Sequence, residues 1–162
     1  GLLDDKVCVV TGAGQGLGRA ISLEMAAEGA TAVLLERNPE TAKAVAAEIE
    51  QAGGRADFHA LDITDYERYA KVVDDVTARL GRIDVLVNNA AINPATRTIL
   101  TDTLEEWRRT IAINLEAVYM GSKLVAPHMV ARGGGWWDAC RFWQAQRLPM
   151  PTLLFASRPK IL

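Results

Sequence analysis

Residues 7–19 read Val-Cys-Val-Val-Thr-Gly-Ala-Gly-Gln-Gly-Leu-Gly-Arg, an apolar run of strand length that passes straight into a glycine-rich turn. An amphipathic stretch ending at Gly29 follows it. A glycine-rich turn alone is a weak signal, and its placement between a strand and a helix start raises it. Glycines let the backbone turn sharply and let an anionic group approach without a Cβ in the way. The helix start adds free N–H groups and a partial positive charge. The segment therefore reads as a phosphate cradle at the head of a βαβ unit.

The chain continues in the same alternation, short apolar runs separated by longer amphipathic ones, which calls for parallel strands joined by crossover helices. Strands are predicted at 7–10, 31–36, 55–61 and 83–87, each apolar enough to be covered on both faces. Asn38 before Pro39 is an N-cap with proline at the first helical position, and Gly53 closes that helix. Thr64 with Glu67 is expected to form a capping box, with Gly81 ending the helix that follows. Thr103 with Glu106 forms another, opening one long helix to about His128. In that helix Leu104, Trp107, Ile111, Leu115, Val118, Ser122, Val125 and Met129 recur every three or four residues. The spacing predicts one core-facing stripe. The fold class read from this alternation is α/β, a doubly wound parallel sheet covered by helices.

The 162 residues make one domain with a real core, and a hydrophobic share of 49% against 23% charged excludes a disordered chain. A net charge of −2 gives no general attraction for nucleic acid or anionic lipid. Cys8, in an apolar run, and the distant Cys140 point to a reducing compartment. The N-terminal residues form neither a signal peptide nor a membrane span, which makes a cytoplasmic location the expectation. His59 and His128 have no cysteine or carboxylate at ligand spacing, so no metal is expected. Past Arg132 three consecutive glycines open a tail with three of the four tryptophans, three of the six prolines and no period. The expected division is a dinucleotide-binding domain over 1–132 and an unrelated, irregular tail over 133–162.

The glycine spacing, Thr11-Gly12 then Gly16 and Gly18, is not G-x-G-x-x-G but T-G-x-x-x-G-x-G. With Leu61-Asp62-Ile63, Asn88-Asn89-Ala90-Ala91 and Ile113-Asn114 in order behind it, the region from Lys6 to about Arg132 resembles the short-chain dehydrogenase/reductase family. Ala91 departs from the family's N-N-A-G. The resemblance implies a Rossmann-type sheet of order 3-2-1-4 with the family's later strands missing, so that the fourth strand is an exposed edge. It also implies hydride transfer between a nicotinamide cofactor and a small alcohol or carbonyl substrate. It implies a cofactor site at Thr11, Gly12, Gln15, Gly16, Leu17, Gly18, Glu36, Arg37, Asp62, Ile63, Asn88, Asn89 and Ala90. Asp62 would meet the adenine amino group, Ile63 the ring, and Asn114 would support a proton relay. Glu36 ends the second strand, where a carboxylate accepts from ribose hydroxyls and repels a 2′-phosphate, so NAD is expected ahead of NADP. Arg37 beside it could pair with that phosphate, which keeps NADP as the second candidate. The helix over 103–129 offers a surface for a homo-oligomer.

The family's acid/base pair, a tyrosine with a lysine four residues on, is due shortly after Gly135 and is missing. The tyrosines are Tyr66, Tyr69 and Tyr119, and the tail's only lysine is Lys160, with Ser157 before it. A loss of reading frame near Gly135 fits this, since one base earlier the codons for Met150-Pro151-Thr152 can read Asp-Ala-Tyr. The expectation is a truncated oxidoreductase, inactive as given. The competing reading is a non-catalytic nucleotide-binding module whose tail, through Trp136, Trp137, Trp143 and nearby arginines, binds a partner or a membrane.

Overall fold

The computed structural model describes residues 1–93, 98 and 100–139. Strands β1 (Val7–Thr11), β2 (Thr31–Glu36), β3 (Arg55–Ala60) and β4 (Val85–Asn88) alternate with helices α1 (Gly16–Ala27), α2 (Pro39–Gln51) and α3 (Tyr66–Leu80). These lie within one or two residues of the sequence reading. Asn38 accepts from the Glu40 N–H with Pro39 in the first turn of α2, and Gly81 takes the left-handed conformation that ends α3. One predicted cap is corrected. The Thr64–Glu67 box does not form, because the Asp62 carboxylate takes both the Thr64 N–H and its hydroxyl, at 3.0 and 2.7 Å. The helix starts one residue later, with Asp65 accepting from the Arg68 N–H as N-cap.

The sheet is parallel, with order β3-β2-β1-β4-β5. The 3-2-1-4 core is as expected, but β4 is not an edge. Trp136–Ala139 form β5, registered against Val85–Asn88. The expected irregular tail thus begins with a strand: the glycines that end the preceding helix also turn the chain back to the sheet. Residues 140–162, including Cys140, Trp143, Ser157 and Lys160, lie outside the described residues.

Alternation along the strands sorts the core into two layers. Val7, Val9, Val33, Leu35 and Leu86 face Tyr69, Val73 and Val76 of α3 and, further along the chain, Val125 and Met129. Val10, Ala32, Leu34 and Val87 face Ala26 of α1 and Val45, Ala46 and Ile49 of α2. Burying both faces in this way makes β1, β2 and β4 continuous hydrophobic runs. The expectation fails for β3, an edge strand that carries Arg55, Asp57 and His59 and has no buried residue.

The long helix is also corrected. It is built in three parts, α4 (Leu104–Ile111), a π-helical turn (Ala112–Glu116) and α5 (Ala117–Ala131). The capping box of Thr103 and Glu106 is present. The eight-residue stripe does not face the core as a unit: Leu104, Trp107 and Leu115 are 62, 55 and 61% exposed. The wider turn shifts the phase of the helix, and the buried row of α5 is instead Ala117, Gly121, Val125 and Met129.

At the opposite end of the sheet Asp84 accepts from the Val7 N–H at 2.9 Å and from Arg82 Nε at 2.6 Å, which aligns the starts of β1 and β4. Burial alone would raise its pKa, but the bonds from Arg82 and Val7 outweigh it and hold the carboxyl below the usual range. The hydrogen bond from His59, with Arg79 behind it, does the same for Asp57. A depressed folded pKa contributes stability above the ordinary carboxylate value and loses it as pH falls through the lower folded value. Urea unfolding is therefore expected to show stability dropping below about pH 4. Asp84→Asn should cost about 1–3 kcal/mol at neutral pH and make that drop shallower.

Candidate functional site

The C-terminal ends of β1 and β4 are tied by Thr11 and Asn89. Thr11 Oγ1 accepts from the backbone N–H groups of Asn89 and Ala90, both at 3.0 Å. The Asn89 amide donates back to the carbonyls of Thr11 and Gly12, at 2.9 and 3.2 Å. Gly12 has φ +65°, and a Cβ there would stand 2.9 Å from Ala90 Cα. At Gly18 a Cβ would stand 2.1 Å from the Gly12 carbonyl oxygen and 2.5 Å from Asn89 Nδ2. These two glycines are dictated by contact: the turn, the helix and Asn89 approach closer than a side chain permits.

Gln15 precedes α1 in extended conformation and no side chain caps the helix. Its first-turn N–H groups, among them those of Gly16, Leu17 and Gly18, lack intrahelical partners and face a groove of about 330 Å³. That groove collects Gly12, Gln15, Gly16, Leu17, Gly18, Glu36, Arg37, Asp62, Ile63, Asn89 and Ala90, eleven of the residues chosen from sequence. It also contains Leu35, Leu61, Ala91, Ile92 and Ile113, which sequence reasoning did not select. The signal for Ala91 and Ile92 was their position directly after Asn88-Asn89-Ala90. The apolar three carry no mark distinguishing a groove wall from core. Ala91 is not among the residues with left-handed φ, so its replacement of glycine strains nothing.

Glu36 reaches across from β2, accepting from the Gly14 N–H at 3.1 Å and the Asn38 N–H at 3.0 Å. Its carboxylate thus joins the glycine-rich turn to the start of α2. Asp62 lines the same groove. Its two bonds from Thr64 hold its carboxyl below the usual range, with the Arg37 and Arg109 charges adding to the effect.

Thr11 and Asn88 lie outside the groove's lining and are buried beneath it, at 2 and 3% exposure. Thr11 supports the floor through the bonds above. Asn88 reaches instead toward α5, its Nδ2 lying 3.4 Å from Ser122 Oγ.

Asn114 lies in the π-helical turn, and its amide pairs with a single residue in both directions. Nδ2 donates to the Ile92 carbonyl at 2.8 Å, and Oδ1 accepts from the Ile92 N–H at 2.9 Å. An asparagine in an otherwise apolar helix segment is satisfied in this way, and the strand-end loop is fixed to the helix. No cluster of three or more potential metal ligands occurs among the described residues. No helix among them is long and apolar enough to cross a membrane.

Residues 6–136 match the family model described as short chain dehydrogenase. The chain belongs to the short-chain dehydrogenase family. It is 38% identical over 135 residues to a 3-oxoacyl-[acyl-carrier-protein] reductase of Thermotoga maritima, covering 82% of this chain and 54% of that one. A meso-2,3-butanediol dehydrogenase of Serratia marcescens is 37% identical over 131 residues, covering 81% of this chain and 51% of that one. Among solved structures, a metagenomic short-chain oxidoreductase in complex with NADP superposes with a TM-score of 0.82 at 39% identity, covering 86% of this chain and 63% of that one. The chain spans about half the length of these two curated relatives.

Short-chain dehydrogenases work with nicotinamide cofactors, and the uncapped N-terminus of α1, with Gly16, Leu17 and Gly18 lining the groove, fits the anionic part of such a group. A Cβ at Gly12 or Gly18 would strike the chain's own packing, whereas a Cβ at Gly16 would meet nothing within 4 Å. The two kinds of glycine separate on substitution. Gly16→Ala is expected to cost about 1–2 kcal/mol from its left-handed backbone alone. Gly18→Ala should cost up to about 3 kcal/mol because the turn must move. Urea melts of both variants check this ordering.

Proposed function

We propose that this chain is the dinucleotide-binding part of an NAD(P)-dependent oxidoreductase acting on an alcohol or carbonyl substrate. The observation that carries the reading is the uncapped N-terminus of α1, opening onto a groove whose floor is tied by Thr11 and Asn89. The first-turn N–H groups of α1 would hold the pyrophosphate, Glu36 the adenosine ribose, and Asp62 with Ile63 the adenine. Asn88, which ends β4, and Ala90, two residues beyond it, would support the nicotinamide end. Asn114, through Ile92, would fix the loop beside it. The nicotinamide, when bound, supplies the hydride acceptor or donor. Relatives named as an acyl-carrier-protein reductase and a butanediol dehydrogenase support the alcohol and carbonyl class of substrate.

The dinucleotide-binding unit extends at least through β5. NAD is the preferred cofactor, because the Glu36 carboxylate at the end of β2 opposes a 2′-phosphate. Arg37, in the same groove, is the cation that limits the preference. These 162 residues do not turn over by themselves. Tyr66 and Tyr69 belong to α3 and Tyr119 to α5, and no residue from 120 to 162 is a tyrosine. Positioned acid/base catalysis is worth about 10²- to 10⁴-fold, and Asn114, whose amide does not ionise and is engaged by Ile92, cannot supply it. Calorimetry should show NAD binding more tightly than NADP, with the gap narrowed by Glu36→Gln. Secondary alcohols should give no NADH formation. Tighter binding of NADP by the unaltered chain contradicts the assignment of Glu36, and turnover contradicts the inactivity.

Leu104, Trp107, Leu115 and Tyr119, each more than half exposed on α4, the π-helical turn and α5, form the surface proposed for a homo-oligomer. Size-exclusion chromatography should give a species larger than the monomer, shifted to monomer by Trp107→Glu. A monomer at all concentrations overturns it.

A further inference from the structure

Tyr69, in the second turn of α3, is fully buried, and its hydroxyl is the one buried side-chain polar atom without a hydrogen-bond partner among the described residues. A buried hydroxyl with no partner is costly, and phenylalanine would fill the same space without the cost. Its surroundings supply a reason for the oxygen. The hydroxyl lies against Gly121 of α5, where a Cβ would stand 2.6 Å from it and 2.9 Å from Asn88 Oδ1. Gly121 is thus the opening through which the phenol and the Asn88 amide approach each other.

The orientation of that amide is fixed on its other side. Ser122 Oγ donates its only proton to the Val118 carbonyl at 2.8 Å, so toward Asn88 it can only accept. The Asn88 atom facing Ser122, at 3.4 Å, must therefore be Nδ2. Oδ1 is left on the Tyr69 side, an acceptor opposite an unpaired donor. Burial pushes the Tyr69 phenol above its ordinary pKa, so it keeps the proton that such a bond needs.

We propose that Tyr69 is a positioning residue: its hydroxyl donates to Asn88 Oδ1, directly after a small side-chain adjustment or through one enclosed water. It thereby fixes the end of β4 from which Asn89 reaches into the floor of the groove. The α3 helix, which contributes no residue to the groove's lining, then sets the angle at which Asn89 meets Thr11 and Gly12. The consequence for cofactor affinity rests on the function proposed above, whereas the bond itself does not.

The test uses Tyr69→Phe in the full chain, read by thermal unfolding, by the side-chain amide resonances of Asn88 and Asn89 and by NADH titration. Phenylalanine retains the packing, so the variant should fold. The expected result is a Tm lower by about 2–6 °C, with the amide resonances of both asparagines displaced and NADH affinity reduced about threefold. Tyr69→Phe combined with Ser122→Ala should lower Tm by an amount different from the sum of the single changes, since both act on one amide. An unchanged or higher Tm for Tyr69→Phe, the outcome for a hydroxyl without a partner, overturns the proposal. So does a lower Tm with the Asn89 resonances unmoved, which would make Tyr69 a structural donor only. If the unaltered chain fails to bind NADH, the cofactor reading fails, and the unfolding and resonance results still decide the role of Tyr69.

Discussion

The bonds between Thr11 and Asn89 are the interaction on which the rest of this structure depends. A parallel sheet leaves the carboxyl ends of neighbouring strands as loose chain exits, and here the threonine hydroxyl and the asparagine amide close them onto one another. The closure brings Asn89 against Gly12 and Gly18 at distances that leave no room for a Cβ. The glycine-rich turn is therefore shaped from below by the fourth strand as much as from within. Because the turn is shaped, the N-terminus of α1 is presented open to the groove and is not folded back on itself.

A second constraint comes from the far wall. The π-helical turn places Asn114 so that its amide matches both backbone groups of Ile92, and the loop after β4 is held without any contribution from the cofactor. The phase change removes Leu104 and Trp107 from the core and leaves them exposed on the surface. One local irregularity thus organises the site on one side and creates an apolar surface on the other, in keeping with the tendency of such turns to mark functional positions.

Much of this was legible in the residues, and the reasons for the exceptions are physical. The four strands and the Asn38–Pro39 and Thr103–Glu106 caps follow local rules that depend on neighbours in sequence, and they appear where those rules put them. Gly12, Gln15, Gly16, Leu17 and Gly18 were legible from the glycine spacing and Glu36 from its place at a strand end, whereas Asp62 and Asn89 came through the resemblance to the family. Four features were not. The Thr64 cap lost to a competing acceptor, Asp62, two residues away. The continuous stripe over 104–129 was broken by a π-helical turn that helical periodicity takes no account of. The fifth strand escaped because three glycines and two tryptophans offer no alternation, and it forms by adding to the edge of β4. Tyr69 escaped in another way: a tyrosine on the buried row of α3 is indistinguishable from core until the packing of Gly121 and Asn88 is known.

The central claim, that this chain holds a dinucleotide across the carboxyl ends of β1, β2 and β4, is tested most directly by following backbone amide resonances during titration with NAD. The account predicts displaced resonances at Gly12–Gly18, Glu36, Asp62, Ile63 and Asn89–Ile92, with the opposite end of the sheet undisturbed. A groove of about 260 Å³ lies at that opposite end, lined by Asp4, Asp5, Gly29, Gly53 and Arg55 among others, and serves as an internal control. Displacements centred there, or none anywhere at saturating NAD, would contradict the account.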